Sequence, residues 1–230
     1  MLRSTHFDPG GFAEYVRVPK MNVDLGILRL PAETTFDEGS FIEPLACVVN
    51  GTNRAAIRPG ESVVVFGAGA IGCLFIAVFR ASGAGRIVTI EPSSSRAAVA
   101  RAVGADDVLT PDDWATRQEL LPQGADVVVD AVGSVLPQAI DAAGMGARVV
   151  VFGMNGNARP PVHQVEIVEK GLSILGSYIS NFTFPAAIRL VEGGRLNLAP
   201  MISAVIPIDE TLAGIGRLRS GEAVKIVIKP

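Results

Sequence analysis

The sequence predicts an α/β protein, with a doubly wound parallel sheet at its centre and a smaller unit assembled from both chain ends. Three observations predict it. From Glu61 to about Ser180, Val/Ile-rich runs alternate with helical stretches, the rhythm of strand–helix crossovers. The runs SVVVF (62–66) and DVVVDAV (126–132) are almost wholly apolar, as strands covered on both faces of a sheet are. Outside that span the rhythm stops, and both ends are short and mixed.

The elements follow in chain order. GGFAEYVRVP alternates Phe12, Tyr15, Val16 and Val18 with polar residues and reads as a strand closed by Pro19. VDLGILRLP reads as a second short strand or a loop. Asp37-Glu38 and Glu43-Pro44 then lead into a helix that runs to about Ile57 and stops at Arg58-Pro59-Gly60. Six strands are expected at 62–66, 86–90, 107–109, 126–132, 148–153 and 172–177. Between them helices are expected at 70–82, 94–103, 112–121, 135–143 and about 163–170. The tail reads as a helix (184–193), a strand (201–206), a helix (209–219) and the strand KIVIK (225–229). The expected units are 1–45 and 181–230, forming one discontinuous domain, around 46–180.

Composition narrows the function. The 230 residues carry 20 Lys+Arg against 23 Asp+Glu, a net charge of −3, which gives no basic surface for nucleic acid or an anionic membrane. The uncharged stretch 62–79 has the length of a short membrane span, but its glycines divide a strand from a helix. Cys47 and Cys73 both lie in apolar runs, so buried thiols are expected and a disulfide framework is not. MLRSTHFDPGG has no apolar core, so no secretory leader is expected, and the cytoplasm is the expected compartment. The sequons at Asn50 and Asn181 are read as chance.

The chemistry-bearing motif is FGAGAIG, Gly67-x-Gly69-x-x-Gly72, after a β-branched strand and opening a helix. In that setting Gly67 permits the tight turn, Gly69 leaves room for a pyrophosphate, and Gly72 lets helix pack on strand. The first helical turn, Ala70 and Ile71, would offer backbone N–H groups to phosphates. This is a Rossmann-type signature for a dinucleotide. Glu91 ends the second strand near the usual spacing of about 20 residues, where an acid accepts hydrogen bonds from the adenosine ribose. A carboxylate there also repels a 2′-phosphate, by up to about 4 kcal/mol at 4 Å and an effective dielectric constant near 20, so NAD is expected over NADP. Arg96 is the rival feature: it could reach a 2′-phosphate or lie solvated on its helix. At the carboxyl ends of later strands, Ala131-Val132-Gly133, Phe152-Gly153 and Ser177 would border the nicotinamide end, or serve as ordinary turn residues.

Glu43 is a lone acid in FIEPLACVV. Before a proline it suits a helix start, where an acid meets the positive end of the dipole. It could equally face a metal.

Taken together, GGFAEYVRVP, FIEPLACVV, RPGESVVVFGAGAIG, RAAVARAVGADDVL and TFPAAIRLVEGGRLNLAPMIS resemble, in this order, the zinc-dependent medium-chain dehydrogenase/reductase family, in its sorbitol and threonine dehydrogenase branch. The resemblance implies a Rossmann domain with a partial catalytic domain from both chain ends. It implies NAD and zinc as cofactors and a small alcohol or polyol as substrate, with hydride passing to nicotinamide while zinc polarises the alcohol oxygen. Glu43 then matches the glutamate that holds the catalytic zinc or its water. The family usually pairs through the strand here at 172–177, implying a homodimer or homotetramer. In the family an additional lobe precedes GGFAEY and supplies the other zinc ligands. Here only His6, His163, Cys47 and Cys73 could add nitrogen or sulfur, and Cys47 shares a helix face with Glu43. Two alternatives stand beside the dehydrogenase: a dinucleotide-binding module or partner subunit without catalysis, and a zinc-independent NADPH reductase, which Glu91 and Glu43-Pro44 disfavour.

Overall fold

The computed structural model describes residues 9–116 and 118–230; His6 lies outside them. Six strands, β1 (Ser62–Phe66), β2 (Arg86–Ile90), β3 (Asp107–Leu109), β4 (Ala125–Asp130), β5 (Ala143–Val151) and β6 (Ser173–Gly176), form one parallel sheet. Their order is β3-β2-β1-β4-β5-β6. The chain starts at the centre, works to one edge, returns, and works to the other. That reversal leaves a crevice at the carboxyl ends of β1 and β4, where ligands of such sheets bind.

The strands are buried on both faces because successive side chains alternate. Val63 and Val65 enter one apolar layer with α3 (Ile42–Ala55) and α4 (Ala70–Ala81). Val64 and Phe66 enter the other with Trp114, on α6 (Pro111–Thr116), and Ala139, on α7 (Leu136–Ala142). The apolar α4 is buried from Gly72 to Phe79. Among the described residues, no helix is long and apolar enough to cross a membrane. The remaining helices of this region are α5 (Ser94–Ala102) and α8 (Gln164–Lys170).

Several expected boundaries move, each for a local reason. The strand expected at 126–132 stops at Asp130, because the buried carboxylate accepts from the N–H groups of Val132 at 2.9 Å and Gly133 at 2.7 Å, turning the chain. The strand expected at 148–153 also ends early, at Val151, since Phe152 and Gly153 donate to the Asp130 carbonyl. It begins earlier, at Ala143. The helix expected at 112–121 shortens to α6 and a 3-10 turn at Gln118–Leu120.

The front segment departs most from expectation. The strand expected at 10–19 is a series of bends with one bridge residue, Arg17. The second expected strand or loop, 23–31, begins inside a helix, α1 (Lys20–Gly26), which covers its first four residues and buries none. Alternation alone does not make a strand; a pairing edge is needed too. A one-turn helix, α2 (Phe36–Gly39), carries a capping box between Thr35 and Glu38.

After β6 come α9 (Phe184–Glu192), β7 (Ile202–Pro207), α10 (Thr211–Arg219) and β8 (Lys225–Lys229). β7 and β8 pair in parallel as a separate two-stranded sheet. That sheet touches the front segment: Lys225 Nζ donates to the Ser40 carbonyl at 3.2 Å and lies over the Phe41 ring, and Lys229 pairs with Asp37 at 3.0 Å.

Candidate functional site

The turn after β1 is built by its glycines. Gly67 has φ +91°, the left-handed region that suits a residue without Cβ. A Cβ at Gly72 would lie 1.9 Å from the Gly67 carbonyl oxygen, so only glycine allows α4 to start this close to β1. At Gly69, the N-cap of α4, a Cβ would meet nothing within 4 Å. Space therefore lies beside the end of the helix that exposes N–H groups.

A cavity of about 480 Å³ opens at this point. Gly67, Gly69, Glu91 and Arg96 form part of its wall, with Ala131 and Val132 from the turn after β4. Ile90, Pro111, Trp114 and Val135 give it an apolar side, and Gln138 a polar one. The slot is apolar with few polar groups, the usual character of a cofactor pocket.

Glu91 is 5% exposed. One carboxylate oxygen accepts from Ala68 N at 2.7 Å and the other from Ser93 N at 2.9 Å. The acid thus fixes the glycine turn as well as lining the cavity, and each oxygen keeps a second lone pair. Arg96 is half-buried, and its guanidinium is bonded to backbone carbonyls. Its Nη2 donates to the carbonyls of Leu218 and Ala223, and its Nε to that of Ala223.

The other expected residues do not line this cavity. Ala70 and Ile71 pack on the core. Gly133 and Gly153 lie against each other: a Cβ on Gly153 would stand 2.2 Å from Gly133 N. Phe152 meets Phe75 edge to face at 5.0 Å. Ser177 is buried, donates its N–H to Val151, and its hydroxyl has no partner among the described residues. Trp114 and Asp130 are the residues that sequence reasoning passed over. The one signal for Trp114 was a lone tryptophan just beyond a strand's carboxyl end.

Glu43 sits in the first turn of α3, beside a groove of about 300 Å³ lined by Leu28, Leu30, Phe184 and Ile188. The Cys47 thiol donates to its Oε1 at 3.4 Å. Burial first, then the Glu43 charge and that bond, push the Cys47 thiol up to about 11. Burial pushes Cys73 up to about 12, with the Glu91 charge adding and Arg96 opposing; its thiol donates to Ala68 O. Among the described residues no cluster of three or more His, Cys, Asp or Glu is placed to hold a metal. His163 instead stands at the N-cap position of α8, its Nδ1 3.4 Å from Glu166. Glu43 and Cys47 are two donors, one fewer than the three protein ligands a catalytic zinc takes, so the described residues do not complete that centre.

The family model described as "Zinc-binding dehydrogenase" matches residues 70–193, more than half of the chain, and covers the cavity wall from Ile90 to Gln138. The chain belongs to the zinc-binding dehydrogenase family. It is 29% identical over 96% of its length to D-arabinitol dehydrogenase 1 of Uromyces fabae. It is 31% identical over 87% of its length to sorbitol dehydrogenase of Rattus norvegicus. Of those two proteins it spans 65% and 58%, less than two thirds of either. Its fold matches a Sinorhizobium meliloti 1021 protein solved with NADP bound, with a TM-score of 0.87 at 30% identity, covering 96% of this chain and 66% of that one.

Proposed function

We propose that this chain is the coenzyme-binding part of an NAD-dependent, zinc-type dehydrogenase acting on a polyol or other secondary alcohol. The observation that carries the reading is the cavity, where the glycine turn, the start of α4 and Glu91 meet around an apolar slot. Gly67, Gly69, Ala70, Ile71 and Gly72 would seat the pyrophosphate. The slot beside Trp114 suits an adenine ring, and Ala131, Val132, Gly133, Phe152, Gly153 and Ser177 would border the nicotinamide. Glu91 would accept from the ribose hydroxyls. Its buried charge supports NAD over NADP, and the attachment of Arg96 to two carbonyls supports the same choice. The neighbour solved with NADP argues the other way for its own site.

Glu43 would stand on the metal side. Residues 1–45 and 181–230 would form one partial catalytic domain around 46–180, supported by the bonds from Lys225 to Ser40 and from Lys229 to Asp37. The edge of β6, which among the described residues pairs only with β5, would join two copies into a homodimer or a larger assembly, and the cytoplasm is the proposed compartment. A second reading, dinucleotide binding without turnover, is favoured by the two-donor metal side.

The lone tryptophan supplies the test. Trp114 lies in the cavity wall, so bound NADH should quench its emission. NADH is expected to bind at least roughly tenfold more tightly than NADPH, given the Glu91 repulsion. Equal affinities would remove the NAD assignment, and no quenching by either would remove the coenzyme reading. Elemental analysis should find less than one zinc per chain; a stoichiometric zinc would show that the donor set is misread.

A further inference from the structure

The run from Glu91 to Arg96 has two sets of partners. On one side it forms the cavity wall. On the other it grips the turn between α10 and β8. Ser93 Oγ donates to the Gly221 carbonyl at 3.1 Å, and Ser95 Oγ reaches the same oxygen at 3.4 Å. Arg96 Nη2 donates to Leu218 O at 3.1 Å and Ala223 O at 3.3 Å. Gly221 takes φ +79°, and a Cβ there would lie 3.9 Å from the Arg96 guanidinium carbon. The turn thus packs against that side chain in ordinary contact and bonds it through its carbonyls.

These contacts are continuous. Glu91 holds Ala68 of the glycine turn through one oxygen and Ser93 through the other. Ser93 holds Gly221. The turn runs directly into β8, whose Lys225 reaches the Ser40 carbonyl and covers Phe41, the N-cap of the helix that carries Glu43. The described bonds therefore lead from the glycine turn to the start of α3 by way of the C-terminal turn.

We infer that residues 218–223 belong to the coenzyme site, and that Arg96 is a positioning residue that fixes the cavity wall to this turn and carries coenzyme occupancy into the C-terminal unit. The inference rests on the coenzyme reading above. Arg96 does not grip a phosphate; it acts through the turn. A ligand that orders Glu91 then also orders the turn, because both are tied to the same six-residue run.

Hydrogen exchange on the full chain, with and without saturating NADH, tests this. In the wild type, NADH is expected to slow exchange in peptides covering 67–73 and also in those covering 218–225, the latter by roughly fivefold, the factor for one added hydrogen bond. In Arg96→Met the slowing at 67–73 should persist and that at 218–225 should disappear, with Arg96→Lys restoring part of it. NADH and NADPH affinities should fall by the same factor in Arg96→Met. Slowing at 67–73 alone in the wild type would overturn the inference, as would undiminished slowing at 218–225 in Arg96→Met. A selective loss of NADPH affinity would overturn it as well, since Arg96 would then be a phosphate ligand. No slowing at 67–73 would remove the coenzyme reading itself and the inference with it. Ser93→Ala, which removes the hydroxyl bond to Gly221 together with the α5 cap that accepts from Arg96 N, is read in the same way if Arg96→Met does not fold.

Discussion

The central sheet and the front segment carry similar residues and fold to different depths. Val63, Val64 and Val65 of β1 are fully buried. Phe12, Tyr15, Leu25 and Phe36 are between 69% and 92% exposed. Both stretches are rich in apolar side chains, so composition does not separate them. The difference is partnership. Each strand of the sheet has its pairing edge within the described chain, and each apolar face has a helix over it. The front segment finds one bridge residue and a groove beside α9, and α1 buries nothing. Burial belongs to pairs of surfaces, and hydrophobic sequence supplies only one member of each pair.

The sharpest way to break this comparison is to attack the sheet where it has no slack. At Gly72 an added Cβ would stand 1.9 Å from a backbone oxygen that no side-chain rotation can move. Gly72→Ala is expected to cost about 4 kcal/mol or more in urea unfolding, the range kept for clashes at special positions, and to abolish NADH quenching of Trp114. Gly26→Ala in the front segment, where a Cβ meets nothing within 4 Å, should leave the unfolding midpoint unchanged. Gly69→Ala separates fold from ligand. It should keep the stability of the wild type and weaken NADH binding, because its Cβ enters open space beside the helix start. Equal stability of all three variants would mean that the glycine turn is far looser than its geometry.

The same partnership rule explains what could be read from sequence alone. The six strands were legible because their neighbours lie in the same chain and because Val and Ile runs bounded by glycine have few other uses. The glycine turn was legible because its function needs those residues at that spacing. The early ends of β4 and β5 were not, since both depend on one residue, Asp130, through its buried carboxylate at β4 and its backbone carbonyl at β5, and these roles appear only when the following turns fold back onto it. The second attachment of Arg96 was hidden for the same reason: its partners lie more than a hundred residues away and are backbone carbonyls, which have no sequence signature. GGFAEYVRVP has the alternation of a strand but forms a bridge only at Arg17 among the described residues.

A second, smaller test compares side chains of one type. Leu74 is fully buried in α4 and Leu25 is 85% exposed on α1. Leu74→Ala should cost about 3 kcal/mol, from lost burial and the cavity left behind. Leu25→Ala should stay within about 0.5 kcal/mol. A Leu25→Ala loss near that of Leu74→Ala would show that the front segment is packed in solution, against another part of the chain or a second copy.

The smallest expected effect is electrostatic, and it places one carboxylate of each region side by side. Burial raises Asp126, at the start of β4, but is outweighed by bonds from the Ser62 N–H and hydroxyl and by the Arg148 charge, so its carboxyl lies below the usual range. Glu38 is lowered by the capping-box bonds from the Thr35 backbone and hydroxyl. A carboxylate whose folded pKa is depressed adds stability above its unfolded value, about 4, and loses it as pH falls through the folded value. Asp126→Asn should therefore lower stability by about 1 kcal/mol at pH 7, after discounting for solvent, and by progressively less below pH 4. Glu38→Gln should show the same direction with a smaller amplitude, because it supports a single helical turn, whereas Asp126 ties β4 to β1. Urea midpoints measured from pH 7 down to pH 3 decide it. If the Glu38→Gln loss equals or exceeds that of Asp126→Asn, the front segment contributes to global stability as much as the sheet does. The contrast between the two regions would then be one of exposure alone.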